Sequence, residues 1–413
     1  MQDTSKYAVG IDIGTTTIRC VVGKLDSETG VPNIIGVGET TNTGMRKGVV
    51  SKLDGPSKAI DEALGEAERM SGYQVDMATI SINGSHILST RVDGMIAVSS
   101  PGNEITLSDI ERVEEVAVTG KVPANRNTID LVPFSYRLDG QDGIKDPAGM
   151  IGRRLELSAN VVSALSPHVA NLEKVAEKAS VHPNAIVPSV IAAARAVLTE
   201  QQLEGGVAVI DFGGSTTSIA VYEEGDLQYV SVIPLGGTNI TNDLAICLKT
   251  DPEIAEQVKL QHGSAVMRDT PKNVTVKHND EIVEFNTSEI DEIVEARLEE
   301  IFEAINKELD KAGRRGKLPN GVVIVGGGAS LRKMTEYAKQ SLQLAVRKGV
   351  PKGFEGVADQ LQQPAYAAAI GLMFSDIASA ANGSVADGRG AAKQVLEKGS
   401  SAIGRLFDRF RAS

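Results

Sequence analysis

The sequence predicts an α/β protein that consists of two similar lobes, and three observations support this prediction. The segment "IDIGTTT" at residues 11–17 returns in nearly the same form as "IDFGGSTT" at residues 210–217. Each copy joins two apolar stretches with the residue types of β-strands, and helical patterns follow each pair. The chain of 413 residues is also longer than one ordinary hydrophobic core accommodates. A repeated strand–turn–strand unit followed by helices is therefore the expected organisation.

Composition and charge exclude several classes of protein. Hydrophobic residues make up 41% of the chain and charged residues 23%, which is typical of a globular protein. The formal net charge of −12 disfavours nucleic acid as a partner, because its phosphates would be repelled. Cys20 and Cys247 form no CxxC motif, so we expect neither a disulfide framework nor an iron–sulfur cluster. The N-terminus does not have the pattern of a signal peptide, and no apolar run approaches about 18 residues, so we expect a cytosolic chain.

The first half of the chain mixes strands with amphipathic helices. Residues 55–72 are predicted to be helical, because apolar residues from Ile60 to Ala67 recur at helical spacing. Strand-like segments follow, and a second helix is predicted over residues 106–120, with Ser108 and Glu111 as its capping box.

The second half repeats this plan and adds a long helix. Residues 206–237 have the pattern of three strands, and residues 287–313 form a predicted amphipathic helix. A strand that enters a glycine turn is predicted over residues 321–331. Small and polar residues fill positions 377–391, which is typical of a flexible linker. The apolar stripe of the long helix comprises Ile290, Ile293, Val294, Leu298, Ile301, Phe302, Ile305 and Leu309.

The two repeated turns have the chemistry of phosphate-binding hairpins. Glycine lets the backbone approach a phosphate, successive N–H groups form an anion-binding nest, and Ser and Thr hydroxyls add donors. An Asp at the end of each first strand suits Mg²⁺ held through water, which assigns this role to Asp12 and Asp211. One such turn alone is more often an ordinary hairpin, whereas two facing copies would clamp a nucleotide. The candidate binding residues are Asp12, Gly14, Thr15, Thr16, Thr17, Asp211, Gly213, Gly214, Ser215 and Thr216.

Paired hairpins of this kind resemble the superfamily of actin, the DnaK-type chaperones and the sugar kinases. That resemblance implies a two-lobed actin-like (ribonuclease H-like) ATPase fold, with ATP and Mg²⁺ as cofactors. The superfamily's Gly-rich adenosine turn is similar to "VVIVGGGASL" at residues 322–331, which assigns Gly326, Gly327, Gly328 and Ser330 to the site. Its helical ExxK pair is matched by Glu256 and Lys259. Its two Ala-rich connecting helices are matched by residues 191–198 and 364–372.

Several segments narrow the resemblance to the bacterial cell-division family FtsA. These are "SINGSHI" at residues 81–87, "DPAGMIGRRLEL" at 146–157 and residues 47–72. The segment "PLGGTNITNDLA" at residues 234–245 is similar to the family's second-lobe turn, which adds Gly237 to the nucleotide site. The match extends from about residue 6 to residue 373. It implies an inserted FtsA-type subdomain and a C-terminal amphipathic helix.

The predicted division of the chain follows from this resemblance. The first lobe comprises residues 1–83 and 164–204, interrupted by the inserted subdomain at 84–163. The second lobe comprises 205–242, a small subdomain at 243–315 and residues 316–376, which end in a helix that returns to the first lobe. A linker at 377–391 and a membrane-targeting helix at 392–413 complete the chain.

The C-terminal tail has an amphipathic pattern that is visible without any family. Ile403, Leu406, Phe407 and Phe410 fall on one face of a helix, and Arg405, Arg409 and Arg411 flank them. Such a helix suits the interface of an anionic membrane, although it would also suit docking on its own protein. The preceding linker favours the membrane. An assembly that presents many tails would bind more tightly than one tail, so self-association is expected.

The family resemblance implies an adaptor that polymerises on the cytoplasmic face of the cell membrane and anchors FtsZ filaments at the division septum. Arg297 matches a basic position of the family's surface for the FtsZ C-terminal tail, although Glu300 offers it a local partner. The inserted subdomain would contact downstream division proteins. No catalytic residue is identified, because Val187 stands where related ATPases place a glutamate, so at most slow ATP hydrolysis is expected. The alternatives are a soluble phosphotransferase or ATPase of the same superfamily and a pilus-assembly actin homologue.

Overall fold

The computed structural model describes residues 7–26, 29–279, 281–356 and 361–383. Two lobes lie side by side, each built on a sheet whose first two strands form one of the repeated hairpins. A third, smaller sheet belongs to the inserted segment. The predicted two-lobed α/β organisation is thus confirmed, and the hairpins lie at equivalent places in the two lobes.

Lobe 1 is built on a six-stranded sheet. Its elements are β1 (Tyr7–Ile13), β2 (Thr17–Leu25), β3 (Pro32–Thr41), β4 (Met45–Arg46), β5 (Val49–Val50), α1 (Asp54–Ser71), β6 (Met77–Ile82), α3 (Ser166–Lys178), β11 (His182–Pro188) and β19 (Glu355–Gly356). The strand order of the sheet is β11-β6-β1-β2-β3-β19. Strands β1 and β2 are antiparallel, whereas β6 is parallel to β1. Helices α1 and α3 belong to this lobe, and the apolar side of α1 is buried as its pattern predicts.

The inserted subdomain forms its own four-stranded sheet, with one helix packed on it. Its elements are β7 (Leu88–Ala97), α2 (Leu107–Val118), β8 (Arg126–Leu138), β9 (Gln141–Ile144) and β10 (Arg154–Leu165). The strand order is β7-β10-β8-β9. The capping box of α2 consists of Thr106 and Asp109, so the predicted pair Ser108 and Glu111 was wrong. Thr106 has the extended backbone that an N-cap requires, whereas Ser108 already lies inside the helix.

Lobe 2 is built on a five-stranded sheet. Two helices lead into this lobe, α4 (Ser189–Val197) and α5 (Glu200–Gly205). The first part of the lobe comprises β12 (Val207–Phe212), β13 (Thr217–Glu223), β14 (Asp226–Ile233), α6 (Gly237–Cys247) and α7 (Pro252–His262). The remaining elements are β15 (Asn273–His278), β16 (Glu281–Asn286), α8 (Thr287–Lys311), β17 (Val322–Val325), α9 (Met334–Leu342) and β18 (Val346–Lys348). The strand order of the sheet is β14-β13-β12-β17-β18. The predicted stripe of the long helix α8 is buried except for Ile293, which is partly buried.

Two helices cross where the lobes join, namely α4 and the last described helix, α10 (Ala367–Gly383). They approach so closely that a carbon added to Gly371 would lie 1.7 Å from the Ala192 carbonyl oxygen, so only glycine fits there. The predicted linker begins at residue 377, but α10 continues to Gly383, so the start of the linker was wrong. The apolar character of Ile377 and Ala378 lets them continue the helix and pack against lobe 1.

A buried carboxylate ties α10 to the sheet of lobe 1. Asp376 accepts hydrogen bonds from the Val9 N–H at 2.9 Å, from the Thr79 hydroxyl at 2.8 Å and from the Asn184 side-chain amide at 2.9 Å. Burial raises the pKa of Asp376, while these donors oppose the rise. The three donors satisfy the carboxylate where water is absent, and they fix the helix against β1, β6 and β11.

Candidate functional site

The first hairpin turn lies between β1 and β2 and is held by contacts from lobe 1. Asp12 faces Arg19 across the strand pair. The side-chain amide of Asn42 donates to the Gly14 carbonyl at 2.7 Å, and the Asn42 N–H donates to the Thr16 carbonyl at 2.9 Å. The Gly48 N–H donates to the Thr15 hydroxyl at 3.2 Å. The turn is therefore preorganised by neighbouring backbone and side-chain groups.

The second hairpin turn lies between β12 and β13 and is fixed by the start of α6. The Gly237 N–H donates to the Gly213 carbonyl at 3.0 Å, and the Thr238 N–H donates to the Gly214 carbonyl at 2.6 Å. A carbon added to Gly236 would lie 2.6 Å from the Gly213 carbonyl oxygen, so the helix begins directly against the turn. Thr216 is buried beneath this junction, while Ser215 is partly exposed. The positive end of α6 thus lies beside the turn, which favours an anion there.

The two turns face each other where the lobes meet, and we call the region between the turns at residues 14–16 and 213–216 the gap. A carbon added to Gly214 would lie 2.7 Å from the Thr16 hydroxyl oxygen. Asp12 and Asp211 lie near the ends of the strands that lead into the two turns, and burial and then the negative charge of Asp12 raise the pKa of Asp211 to about 7. Burial also raises the pKa of Asp12, whereas Ser81 and Arg19 oppose that rise. Two carboxylates with raised pKa values form an arrangement that a bound cation would stabilise.

Other metal ligands are absent from this part of the molecule. Within residues 7–26, 29–279, 281–356 and 361–383, no group of three or more His, Cys, Asp or Glu side chains is placed to hold a metal ion. A cation between Asp12 and Asp211 would therefore take its other ligands from water or from phosphate. Mg²⁺ prefers a ligand set of this kind, in which one or two carboxylates are completed by water and phosphate.

The third glycine segment lies directly beside the second hairpin. Gly326 has a φ angle of +80°, and a carbon added to it would lie 2.5 Å from a carboxylate oxygen of Asp211. Its N–H donates to the Pro364 carbonyl at 3.0 Å, which links the turn to the segment that begins α10. Gly328 lies over the ring of Phe212, while Gly327 and Ser330 are exposed. The segment predicted to contact adenosine therefore borders the same gap.

The predicted Glu256–Lys259 pair forms and lies against the start of α6. The Lys259 ammonium is 2.7 Å from a Glu256 carboxylate oxygen, and it also donates to the Gly237 carbonyl at 3.2 Å and to the Thr241 hydroxyl at 2.9 Å. Thr241 in turn donates to Glu256. Lys259 therefore brings a positive charge to within hydrogen-bond distance of Gly237, at the edge of the second hairpin.

A polar network that the sequence did not predict lies at the floor of the gap. The Asn83 side chain accepts a hydrogen bond from Ser218 of β13 at 3.1 Å and donates to Ser189 of α4 at 3.1 Å. Ser189 also forms a hydrogen bond with Asp211, which lowers the pKa of that carboxyl and opposes the effect of burial. Asn83 belongs to the "SINGSHI" segment, but nothing in the sequence indicates that it contacts lobe 2. Val187 is buried at the end of β11 and supplies no carboxylate.

The predicted partner-binding residue Arg297 lies on α8 and not on either hairpin. Arg297 of α8 is paired with Asp243 of α6, with an Nη2 to Oδ1 distance of 2.9 Å, and with Glu300. Only about a fifth of its side chain is exposed, at 22%. The tail residues Ile403, Arg405, Leu406, Phe407, Arg409 and Phe410 lie outside the described residues. Among the helices of the described part, none is long and apolar enough to cross a membrane.

Comparison with known families identifies two regions of the chain. The pattern of the family described as "Cell division protein FtsA" matches residues 208–371. The pattern described as "SHS2 domain inserted in FTSA" matches residues 84–163.

Similar proteins cover nearly the whole chain. The cell division protein FtsA of Bacillus subtilis is 36% identical over 375 residues, which cover 90% of this chain and 83% of that protein. The FtsA protein of Neisseria meningitidis is 32% identical over 422 residues, covering 98% of each. The FtsA protein of Pseudomonas aeruginosa is 30% identical over 384 residues, covering 92% of this chain and 91% of that protein.

Solved structures with the same fold are more distant in sequence. A PilM-PilN type IV pilus biogenesis complex aligns with a TM-score of 0.67 at 17% identity, covering 90% of this chain and 98% of the other. MreB5 of Spiroplasma citri bound to ADP aligns with a TM-score of 0.57 at 14% identity, covering 92% and 99%. A MamK double helical filament aligns with a TM-score of 0.51 at 12% identity, covering 89% and 98%. These similarities confirm the actin-like fold.

Proposed function

The chain belongs to the FtsA family of cell division proteins, and from this premise we propose that it is an ATP-binding adaptor. It binds MgATP between its lobes, self-associates on the cytoplasmic face of the cell membrane, and anchors FtsZ filaments at the division site. The observation that carries the proposal is the facing pair of hairpins, whose turns meet at Thr16 and Gly214 and whose carboxylates share one gap.

The residues present at the gap fit a magnesium nucleotide. Gly14, Gly213 and Gly236 have no side chains, so a phosphate could approach their backbone closely. The N-terminus of α6 adds the positive end of a helix dipole. Asp12 and Asp211 would hold Mg²⁺ through water, and Lys259 and Glu256 would border the ribose. When bound, MgATP supplies charge that both hairpins recognise, so that the lobes are held together. MreB5 of Spiroplasma citri, which shares the fold, has been solved bound to ADP and bound to AMPPNP, and this supports nucleotide binding by the present chain.

The site supports binding more than fast hydrolysis. A general base or water-orienting group is needed near the end of the phosphate chain. Val187 is apolar and buried at the position where related ATPases carry glutamate. Asp12 and Asp211 are committed to the cation in this proposal. We therefore expect tight binding with slow turnover.

Membrane attachment is proposed to use the amphipathic tail. The direction of α10 follows from its contacts with β1. Just before the helix, the Tyr366 hydroxyl donates to Glu39. Along the helix, the first part lies against Gly10, and Asp376 farther on accepts from the Val9 N–H. The helix therefore runs antiparallel to β1 and leads away from the gap, so its last residue, Gly383, is at the end of the helix remote from the two hairpins. A membrane there would leave the nucleotide gap accessible.

The tail's affinity for a membrane is expected to depend on assembly. Burying the four apolar side chains Ile403, Leu406, Phe407 and Phe410 contributes roughly 6–10 kcal/mol before costs. Ordering a short helix offsets much of this, so a single tail binds reversibly. A filament that presents many tails to one surface would bind far more tightly. MamK, which shares the fold, forms a double helical filament, and this supports self-association of the present chain.

Liposome co-sedimentation with anionic lipid, MgATP and FtsZ tests the proposal. We expect the full chain to pellet with liposomes and to carry FtsZ with it, whereas a chain that ends at Ala392 stays soluble. Phe407→Asp should abolish pelleting, while Ala412→Asp, which adds the same charge to the opposite helix face, should retain most of it. Equal behaviour of the full and shortened chains would show that the tail is not the anchor. If the full chain pellets with liposomes but FtsZ stays in the supernatant, the tethering role is contradicted.

A further inference from the structure

The inserted subdomain, residues 84–163, contacts lobe 2 as well as lobe 1. It is joined covalently to lobe 1, because the chain leaves β6 at residue 83 and returns to α3 at residue 166. Its strands β7, β8 and β10 nevertheless lie against β14, the edge strand of the lobe 2 sheet. The subdomain therefore spans the boundary between the lobes.

Three polar contacts attach the middle of the subdomain to the start of β14. The Lys145 ammonium lies 2.6 Å from an Asp226 carboxylate oxygen. The side-chain amide of Asn160 donates to the Leu227 carbonyl at 3.1 Å. Arg91 donates to the Gln228 side chain at 3.3 Å. Arg91 lies on β7, Asn160 on β10 and Lys145 directly after β9, so contacts from three parts of the subdomain resist both sliding and rotation against β14.

Asn160 makes this attachment costly to break. It is fully buried, and its carbonyl oxygen accepts a hydrogen bond from Ser89 at 2.7 Å, while its amide reaches Leu227. Separating the subdomain from β14 would leave a buried amide without its acceptor, a penalty that only the entry of water would relieve.

A buried charged group lies at the junction of all three bodies. Asp130 of β8, which is 6% exposed, interacts electrostatically with Arg195 of α4 and with Tyr222 of β13. Arg195 also donates to Ser375 of α10. Asp130 pairs with Val162 near the end of β10, so its interaction with Arg195 lies close to the point where the chain returns from the subdomain to lobe 1.

The contacts of the subdomain with lobe 1 are differently placed. They cluster where the chain passes from lobe 1 into the subdomain, after β6, and where it returns, before α3. His86 stacks on His168 with ring centroids 4.4 Å apart, and Ser166 bonds Asn127 at 2.5 Å. These contacts and the Asp130–Arg195 interaction all lie near the two points where the chain passes between lobe 1 and the subdomain, so they permit rotation about those points. Lys145, in contrast, meets β14 from the other side of the subdomain sheet, directly after its edge strand β9.

We propose that the inserted subdomain moves with lobe 2, so that closure of the gap turns the subdomain relative to lobe 1. Its orientation would then report the nucleotide state to whatever binds the subdomain. This inference rests on the proposed nucleotide binding. It assigns a conformational output to the binding site through two antiparallel strands: β13 starts at the second hairpin, and β14 starts against the subdomain and ends beside the start of β13.

Distance measurements between spin labels test this coupling in the full chain. Labels would be placed at exposed helical positions in the subdomain (Glu115→Cys), lobe 1 (Asp61→Cys) and lobe 2 (Lys339→Cys), in a Cys247→Ser background that leaves only the buried Cys20. On addition of Mg²⁺ and a non-hydrolysable ATP analogue, we expect the 61–339 and 61–115 distances to shift together while the 115–339 distance stays constant. A constant 61–115 distance, or no shift of 61–339 with analogue bound, would overturn the inference.

Variants at the contact with β14 provide the second arm of the test. Lys145→Ala, alone and with Asn160→Ala, should broaden the 115–339 distance distribution and reduce the nucleotide-dependent shift of 61–115. Lys121→Ala, which removes an exposed lysine of the same subdomain, should leave both unchanged. Binding of a fluorescent ATP analogue is measured on the same samples. Loss of binding in the labelled parent would contradict the proposed function, whereas normal binding with independent movement of the subdomain would contradict only this inference.

Discussion

Thr16 and Gly214 bring the two repeated turns into contact across the gap between the lobes. A carbon attached to Gly214 would lie 2.7 Å from the Thr16 hydroxyl oxygen and 2.8 Å from its methyl carbon, both closer than atoms tolerate. The pair therefore sets how closely the lobes approach. The residues that determine this spacing come from the two copies of one short motif.

Gly214→Ala is expected to weaken MgATP binding about tenfold or more, since overpacking of this kind costs roughly 1–3 kcal/mol. The added carbon collides with Thr16 and holds the turns apart. Titration with a fluorescent ATP analogue measures the effect. Thr16→Ala combined with Gly214→Ala should recover part of the affinity that Gly214→Ala loses. Gly65→Ala is the matched control, because an added carbon in α1 meets nothing within 4 Å; equal affinity of Gly214→Ala and Gly65→Ala would contradict the clamp.

Asp12→Asn is expected to produce opposite effects on binding and on stability. Removing the charge weakens Mg²⁺-dependent ATP binding, since one of the two carboxylates at the gap is lost. Removing the same buried charge also relieves repulsion with Asp211, so the free energy of unfolding without nucleotide should rise by roughly 1 kcal/mol. Isothermal titration and thermal unfolding measure the two quantities. Unchanged MgATP affinity would show that this hairpin does not bind the nucleotide, and Asp61→Asn, an exposed substitution on α1, controls for a general charge effect.

His86 is expected to make the protein less stable in acid. Burial is the main cause that lowers the pKa of His86 to about 4, and the nearby charges of His168 and Arg126 add to it. The unfolded chain binds this proton at about pH 6.5, so between about pH 6.5 and 4 it holds more protons than the folded chain. The free energy of unfolding should therefore fall by about 2–3 kcal/mol as the pH drops through this range.

Urea denaturation at several pH values measures this dependence. His86→Gln should flatten the loss between about pH 6.5 and 4 relative to the parent chain. His182→Gln, a substitution of an exposed histidine in the neighbouring strand, should retain the parent's slope. Identical slopes for all three proteins would show that His86 is not held in its neutral form.

Substitutions at Arg297 distinguish a role in binding FtsZ from a role in the structure of lobe 2. We propose that it contacts the acidic FtsZ tail, yet its guanidinium is already paired with Asp243 and Glu300. If it binds the tail, Arg297→Glu should lower the affinity for an FtsZ C-terminal peptide by tenfold or more, and Asp243→Asn should raise it by releasing the guanidinium. Lys307→Glu, on the same helix, should have little effect. A lowered melting temperature with unchanged peptide affinity would assign Arg297 to the structure of the small subdomain alone.

The parts of the fold that follow local patterns were predictable. The repeated hairpins, the helix near residues 55–72 and the stripe of α8 follow from spacing of apolar residues, because one buried face fixes the period. Helix ends were less predictable. The cap of α2 uses Thr106 and Asp109, and α10 passes through the first part of the predicted linker, because packing against lobe 1 outweighs the small, polar composition there.

The sequence by itself determined the two repeated turns, the glycines that fit them and the family to which the chain belongs. Each turn depends on a few neighbouring residues, and both turns require the same residue types, so the same short motif occurs twice in the sequence. Only the tertiary structure decided that Thr16 contacts Gly214, that Asn83 links lobe 1 to Ser218, and that Arg297 is paired with Asp243. These contacts join residues far apart in the chain, and their distances depend on how sheets and helices pack rather than on any local pattern. The attachment of the inserted subdomain to β14 is of the same kind, since Asn160 meets Leu227 only after both sheets have formed.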